Sequence, residues 1–228
     1  MTQLLPHIKI ESAPNPSAAV IWLHGLGADG NDFAALVPEL DLEGCPPIRF
    51  IFPHAPSIPV SLNNGYVMPA WYDILGADLV RREDAAGIHH SALAIEALIA
   101  NEVACGIPAS AIVLAGFSQG CAMALHTGLR HPARLAGIMA LSGYLPLAGT
   151  VAAERSAANQ ATPIFMAHGT QDPMVIISRA EASRNALTSL GYAVQWHTYA
   201  MPHSVHPQEI ADIGRFLKAV LNADARSA

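Results

Sequence analysis

Ala111-Ile112-Val113-Leu114-Ala115-Gly116-Phe117-Ser118-Gln119-Gly120-Cys121-Ala122-Met123-Ala124-Leu125 decides the fold. A short apolar, β-branched run leads through Gly-x-Ser-x-Gly into a stretch of good helix formers, which predicts a strand, a sharp turn and a helix. Glycines on both sides of a serine let the backbone turn tightly enough to hold the hydroxyl above the end of the strand. Ser118 is therefore the candidate nucleophile. The five-residue pattern alone is common, and its strand–turn–helix context is what gives it weight.

Working outward, short β-branched or aromatic runs alternate with longer Ala- and Leu-rich segments, the rhythm of a mostly parallel sheet covered by helices on both faces. Strands are predicted near Ala18–Leu23, Ile48–Phe52, Ala111–Ala115, Ala136–Leu141, Pro163–Ala167 and Ala193–Tyr199, with a shorter antiparallel strand at Leu4–Ile10. Helices are predicted near Asn31–Leu40, Glu83–Ala104, Gln119–Arg130, Ser178–Leu190 and Pro207–Asn222. Pro53 to Asp78 and Tyr144 to Thr162 show no clear period. The first reads as an ordered loop of the kind that builds binding sites, the second as a surface excursion.

Composition narrows the function classes. The 228 residues suit one catalytic domain, 1–228, with 52% hydrophobic residues, 13% charged residues and mean hydropathy of +0.31. A net charge of −6 offers no basic stripe for phosphates, so nucleic acid is not an expected partner. The longest stretch free of Lys, Arg, Asp and Glu, Val103 to Leu129, is broken by Gly106-Ile107-Pro108 and by the glycines around Ser118. It reads as a buried strand and helix, and no stable membrane insertion is expected. Met1-Thr2-Gln3-Leu4-Leu5-Pro6 does not read as a secretory signal. Cys45, Cys105 and Cys121 show neither paired nor metal-like spacing, which fits reduced thiols and a cytoplasmic location.

A serine nucleophile needs a base, and the base needs an acid to orient it. In α/β-hydrolase sites the chain order is Ser, then Asp or Glu, then His. Between Ser118 and the C-terminal histidines stand Glu154, Asp172 and Glu181; only Asp172 directly follows a predicted strand, where a loop at the carboxyl edge would present it to the elbow. His203 and His206 both follow the last strand. His206 precedes Pro207, a first-turn helix residue, so His203 fits the base better, with His206 left as the alternative. His168 and His197 lie on strands and read as packed, hydrogen-bonded residues. An oxyanion hole should use the amide after the nucleophile, Gln119, and a second from the glycine-rich loop Gly25-Leu26-Gly27-Ala28-Asp29-Gly30. That loop also matches the Gly-x-Gly-x-x-Gly dinucleotide fingerprint, yet the next predicted strand ends in Phe52-Pro53-His54 with no ribose-binding acid. A dinucleotide-binding protein and a non-catalytic ligand binder on the hydrolase fold are the rival readings.

The chain closely resembles the carboxylesterase and acyl-protein thioesterase family of α/β-hydrolases, particularly its small bacterial carboxylesterases. The resemblance rests on Leu23-His24-Gly25-Leu26-Gly27-Ala28-Asp29-Gly30, Phe52-Pro53-His54-Ala55-Pro56, Met68-Pro69-Ala70-Trp71-Tyr72-Asp73, the Ser118 elbow, His168-Gly169-Thr170-Gln171-Asp172 and Met201-Pro202-His203-Ser204-Val205, in this order. It implies an α/β-hydrolase fold with a sheet of about seven strands, Ser118, Asp172 and His203 as the triad, and the amides of Leu26 and Gln119 as the oxyanion hole. It favours His203 over His206 and is compatible with a homodimer. Cys121, Ile176 and Ala200 depart from the family pattern, which expects glycine, proline and glycine there.

Little chain remains for a large lid, so an open, groove-like site is expected, with Leu26, Leu62, Trp71, Ile74, Leu75 and Met174 as candidates for an apolar acyl channel. Ordinary loop packing accounts for each of these equally well. The expected reaction is hydrolysis of short- to medium-chain carboxylic esters, with acyl thioesters or lysophospholipids as the alternative, and it calls for neither a metal nor an organic cofactor.

Overall fold

The computed structural model describes residues 4–76 and 83–222. The N-terminal Met1-Thr2-Gln3 and the last two residues of the 53–78 stretch lie outside them. In chain order the elements are β1 (His7–Glu11), β2 (Ala18–Leu23), α1 (Asn31–Ala34), β3 (Ile48–Pro53), β4 (Ser57–Val60), β5 (Tyr66–Pro69), α2 (Ala85–Ala104) and β6 (Ile112–Phe117). They continue with α3 (Gln119–Arg130), β7 (Gly137–Leu141), α4 (Val151–Glu154), β8 (Ile164–Gly169), α5 (Ile177–Ser189), β9 (Val194–Tyr199) and α6 (Pro207–Leu221).

Seven strands form one sheet in the order β1-β3-β2-β6-β7-β8-β9. All neighbours are parallel except β1, which pairs antiparallel with β3. This is the α/β-hydrolase fold. The period of two along a strand divides β2 cleanly: Ala19, Ile21 and Leu23 enter the core on one face, Ala18, Val20 and Trp22 the core on the other. Because both faces are covered, all six residues are buried and the strand reads as a continuous apolar run. Helices α2, α3 and α5 contribute Ile88, Ile95, Ala122, Leu125 and Leu187 to the first core. On the other face α1 and α6 contribute Phe33, Ile213, Phe216 and Leu217. Each large apolar side chain so buried stabilises the fold by ~1.5–3 kcal/mol before conformational entropy is counted.

Three expectations need correction. The helix predicted over Asn31–Leu40 stops at Ala34, and a separate 3-10 turn follows at Val37–Glu39. Pro38 lacks an N–H and its ring would press on the carbonyl one turn back, so the helix cannot run through it. Within the 53–78 stretch, β4 and β5 form a hairpin, pairing Ser57 with Pro69 and Val60 with Tyr66. Pro59 and Pro69 hide it from a pattern reading, because proline is tolerated only where a ladder hydrogen bond is not needed. The 144–162 stretch is no mere surface excursion. Val151, Asn159 and Thr162 are fully buried, and the Asn159 side chain accepts from Leu135 N–H and donates to the carbonyls of His131 and Ala133.

The start of α6 carries a buried acid. His206 caps it and Glu209 closes a capping box by accepting from the His206 backbone, at 3.3 Å. Glu209 is fully buried and its other carboxylate oxygen has no partner among the described residues, and desolvation pushes its pKa up to about 7. The folded chain then holds this proton more tightly than the unfolded chain does. Its contribution to stability is complete below the ordinary glutamate range and is lost as pH rises through about 7. Glu209→Gln should therefore gain on the native chain by up to about 3 kcal/mol between pH 5 and pH 8 in urea denaturation; a pH-independent difference would contradict this.

Candidate active site

Strand β6 outruns its predicted end at Ala115 because Gly116 and Phe117 still pair with Ala140 and Leu141 of β7. Helix α3 begins two residues later, and the chain reverses direction at Ser118 alone, with φ 55° and ψ −115°. This conformation is strained for a non-glycine residue. Its neighbours must be glycine: a Cβ on Gly116 would collide with the Gly120 carbonyl, and one on Gly120 with the carbonyls of Leu23 and His24. Ser118 is held by its N–H, which donates to Leu141 O at 2.9 Å, and by its carbonyl, which accepts from Ala122 N–H at 3.2 Å.

At the same carboxyl edge of the sheet, the loops after β8 and β9 lie against each other. Thr170 N–H donates to Tyr199 O at 2.8 Å and Gln171 N–H to Met201 O at 3.1 Å. Asp172 is buried; its Oδ1 accepts from the N–H groups of Met174 and Val175 at 2.8 and 2.9 Å. Its Oδ2 accepts from His203 Nδ1 at 2.6 Å. This contact assigns the His203 proton to Nδ1 and leaves Nε2 as the basic nitrogen. Beneath the pair, His168 is fully buried, donates from Nε2 to Val175 O at 2.7 Å, and stands 3.4 Å from Asp172 Oδ2. Burial lowers its pKa, so it is a neutral support for the acid loop. The other two candidates stand apart: His206 caps α6, and the His197 ring stacks on Phe165. Among the alternative acids, Glu154 pairs with Arg130 and Glu181 lies within α5.

Ser118 and His203 face one cavity of about 300 Å³, which Leu26, Leu62, Tyr72, Ile74, Gly76, Gln119, Tyr144, Met174 and Val175 complete. Among the described residues no hydrogen bond joins Ser118 Oγ to the His203 ring, and such contacts tighten when substrate binds. The Leu26 N–H makes no hydrogen bond among the described residues. That of Gln119 is at the first turn of α3, where helix N–H groups have no intrahelical acceptor. Two donors without a partner among the described residues thus belong to residues that line the cavity beside Ser118.

A buried polar network fixes both donors. Gln119 Oε1 accepts from Trp71 N–H at 2.9 Å and its Nε2 donates to Tyr72 O at 2.7 Å, so the elbow is clamped to the end of the hairpin excursion. Trp71 Nε1 donates to His24 O at 2.9 Å. His24 donates from Nδ1 to Gly25 O at 2.7 Å and accepts at Nε2 from Ala55 N–H at 3.0 Å, one tautomer satisfying both bonds. Burial lowers its pKa, consistent with that neutral ring.

Of the predicted channel residues, Leu26, Leu62, Ile74 and Met174 line the cavity. Trp71 does not: its ring is buried in the core beside His24, where its N–H finds a carbonyl partner. Leu75 is 39% exposed and lies outside the lining. Tyr72, Gly76, Tyr144 and Val175 were missed. Tyr144 was discoverable, since it follows β7 by three residues at the same sheet edge as Ser118. The dinucleotide reading gains nothing: the helix after the glycine loop has four residues, and Gly25 packs against the Ser118 side chain. Cys121 is fully buried against Gly143, and desolvation raises its pKa, so it is a packing residue without thiolate character.

The profile of the phospholipase/carboxylesterase family matches residues 6–221. The acyl-protein thioesterase 1 of Gibberella zeae is 42% identical over 219 residues, covering 92% of this chain and 93% of that protein. That of Yarrowia lipolytica is 40% identical, covering 93% and 96%. Among solved structures, acyl-protein thioesterase 2 of Zea mays superposes with a TM-score of 0.80 at 31% identity, covering 94% of this chain and 99% of that one.

The strain at position 118 is measurable. Both Ser118→Ala and Ser118→Gly remove the hydroxyl, but only glycine adopts the elbow conformation freely. The glycine variant should be the more stable in urea denaturation by about 1 kcal/mol, relief of strain outweighing its greater unfolded-state entropy. An alanine variant equal to or more stable than the glycine variant would contradict the strained elbow.

Proposed function

The chain belongs to the phospholipase/carboxylesterase family and is a hydrolase of ester bonds; on that premise we propose a Ser-His-Asp acyl-enzyme mechanism with Ser118 as nucleophile, His203 as base and Asp172 as its orienting acid. The observation that carries the assignment is the 2.6 Å contact between Asp172 and His203 Nδ1, made where the His203 ring and Ser118 border the same cavity.

In the first step Ser118 Oγ attacks the acyl carbonyl carbon while His203 Nε2 takes the hydroxyl proton. Negative charge develops on the carbonyl oxygen, where the N–H groups of Leu26 and Gln119 stabilise it. Asp172 holds the Nδ1–H tautomer and stabilises the imidazolium. The tetrahedral intermediate collapses, His203 returns its proton to the leaving oxygen or sulfur, and the alcohol or thiol departs. Water then attacks the acyl-enzyme, giving its proton to His203, and the acid leaves as Ser118 regains its hydrogen.

The apolar lining by Leu26, Leu62, Ile74, Met174 and Val175 suits an acyl chain, and the short- to medium-chain carboxylic esters expected from sequence remain its substrates in this reading. The thioester reading fits at least as well. The relatives named acyl-protein thioesterase favour it, and a thioester offers Ser118 the same carbonyl. Residues 1–228 act as a single catalytic domain in this proposal. Its three cysteines are free and suit a reducing, cytoplasmic setting. No helix among the described residues is long and apolar enough to cross a membrane.

Hydrolysis of p-nitrophenyl butyrate and of a butyryl thioester tests the assignment. Ser118→Ala should abolish both activities together, and Asp172→Asn should lower turnover by about 10⁴. Wild-type rates in the Ser118→Ala variant would overturn it. Loss of one activity without the other would show that two different sites serve the two substrates.

A further inference from the structure

Tyr144 borders two cavities. One is the catalytic cavity of about 300 Å³; the other, of about 360 Å³, has a lining that includes Leu145, Ala148, Arg179, Ala182, Ser183 and Glu83. The phenol is held in place from both directions. Its hydroxyl is 2.9 Å from that of Tyr72, a residue of the catalytic cavity, and the Arg179 guanidinium of the second cavity lies 4.9 Å from the ring centroid. Its backbone is pinned as well, since Leu145 N–H donates to Ser183 Oγ at 2.8 Å and Leu147 N–H to Glu83. Tyr144 is only 8% exposed and is held at its hydroxyl and over its ring, so it is not a mobile surface side chain.

The second space offers a hydrocarbon more apolar than polar surface, with the Arg179 guanidinium and the Ser178 hydroxyl also at its border. Leu145, Ala148 and Ala182 give it apolar surface. Ser183 and Glu83 already have backbone partners, so methylenes entering there would take no hydrogen bond from either. Alone, the catalytic cavity sits at the lower end of the ~300–1,000 Å³ span of small-molecule sites. Joined to the second it would fall in the middle of that span.

We propose that Tyr144 is a specificity-determining residue: its ring ends the acyl space and sets the upper chain length, and the cavity behind it is a latent extension for the distal methylenes of a longer acyl chain. This rests on the reading of Ser118 and its cavity as an acyl-transfer site. Short acyl groups fit on the catalytic side of the ring, whereas a long one must fold back or leave its tail in water.

Steady-state kcat/KM for p-nitrophenyl butyrate and p-nitrophenyl laurate tests the proposal through their ratio. Tyr144→Ala should raise the laurate-to-butyrate ratio by at least about 10-fold, the discrimination that even a single methylene can command in an apolar pocket. Tyr144→Phe, which keeps the ring, should stay near the native ratio. Adding Ala182→Trp to Tyr144→Ala fills the space from behind and should return the ratio toward that of the native enzyme. Tyr144→Val serves the same comparison if the alanine variant does not fold. A flat ratio in a folded alanine or valine variant overturns the proposal, as does a raised ratio that Ala182→Trp leaves in place. A native enzyme that hydrolyses neither ester would instead overturn the acyl-transfer reading, so the two failures are separable.

Discussion

The structure depends on one close approach, that of helix α3 to the ends of β2 and β6. At Gly120 the helix backbone lies against the carbonyls of Leu23 and His24, and at Gly116 the strand lies against the helix, with no room for a side chain at either place. The chain can make that approach only by reversing at one residue, and the positive φ of Ser118 is the consequence. Packing on both faces of the sheet supplies the energy that keeps a strained residue where it is. The hydroxyl is thereby held at the carboxyl edge of the parallel sheet, and the residues of the proposed site are arranged around that edge.

Two separate devices furnish the edge. The loops after β8 and β9 are cross-linked by backbone hydrogen bonds, so the acid and the imidazole are positioned as one unit, and His168 supports that unit from below. The hairpin excursion is tied in by side chains: Gln119 grips Trp71 and Tyr72, and Trp71 grips His24. Residues from four distant stretches of sequence therefore share one buried network. Because its polar groups are paired away from water, loss of one leaves others unsatisfied, which makes the arrangement rigid.

The seven strands of the sheet and the principal helices were legible, though not the strand ends, because buried parallel strands announce themselves as short apolar runs and because proline and glycine mark the turns. The positions of Ser118, Asp172 and His203, the proposed triad, were legible for a similar reason, since each follows a strand at its carboxyl end. Side-chain direction was not legible. Trp71 and Tyr72 are adjacent aromatic residues in one loop and both are buried in the same core, yet only Tyr72 also lines the cavity, while the Trp71 indole N–H is held by the carbonyl of His24. Tyr144 escaped notice because the stretch it opens lacks periodicity, and the polar anchoring by Asn159 that orders this stretch involves partners with no local pattern.

The central claim is that the Ser118 hydroxyl is made nucleophilic by the folded arrangement around it. Treatment with a fluorophosphonate, followed by intact-mass measurement and peptide mapping, tests this most directly. The account predicts a single adduct on Ser118, formed by the folded chain and absent after denaturation. An adduct on a different residue, or no adduct on a chain that still hydrolyses esters, would contradict it.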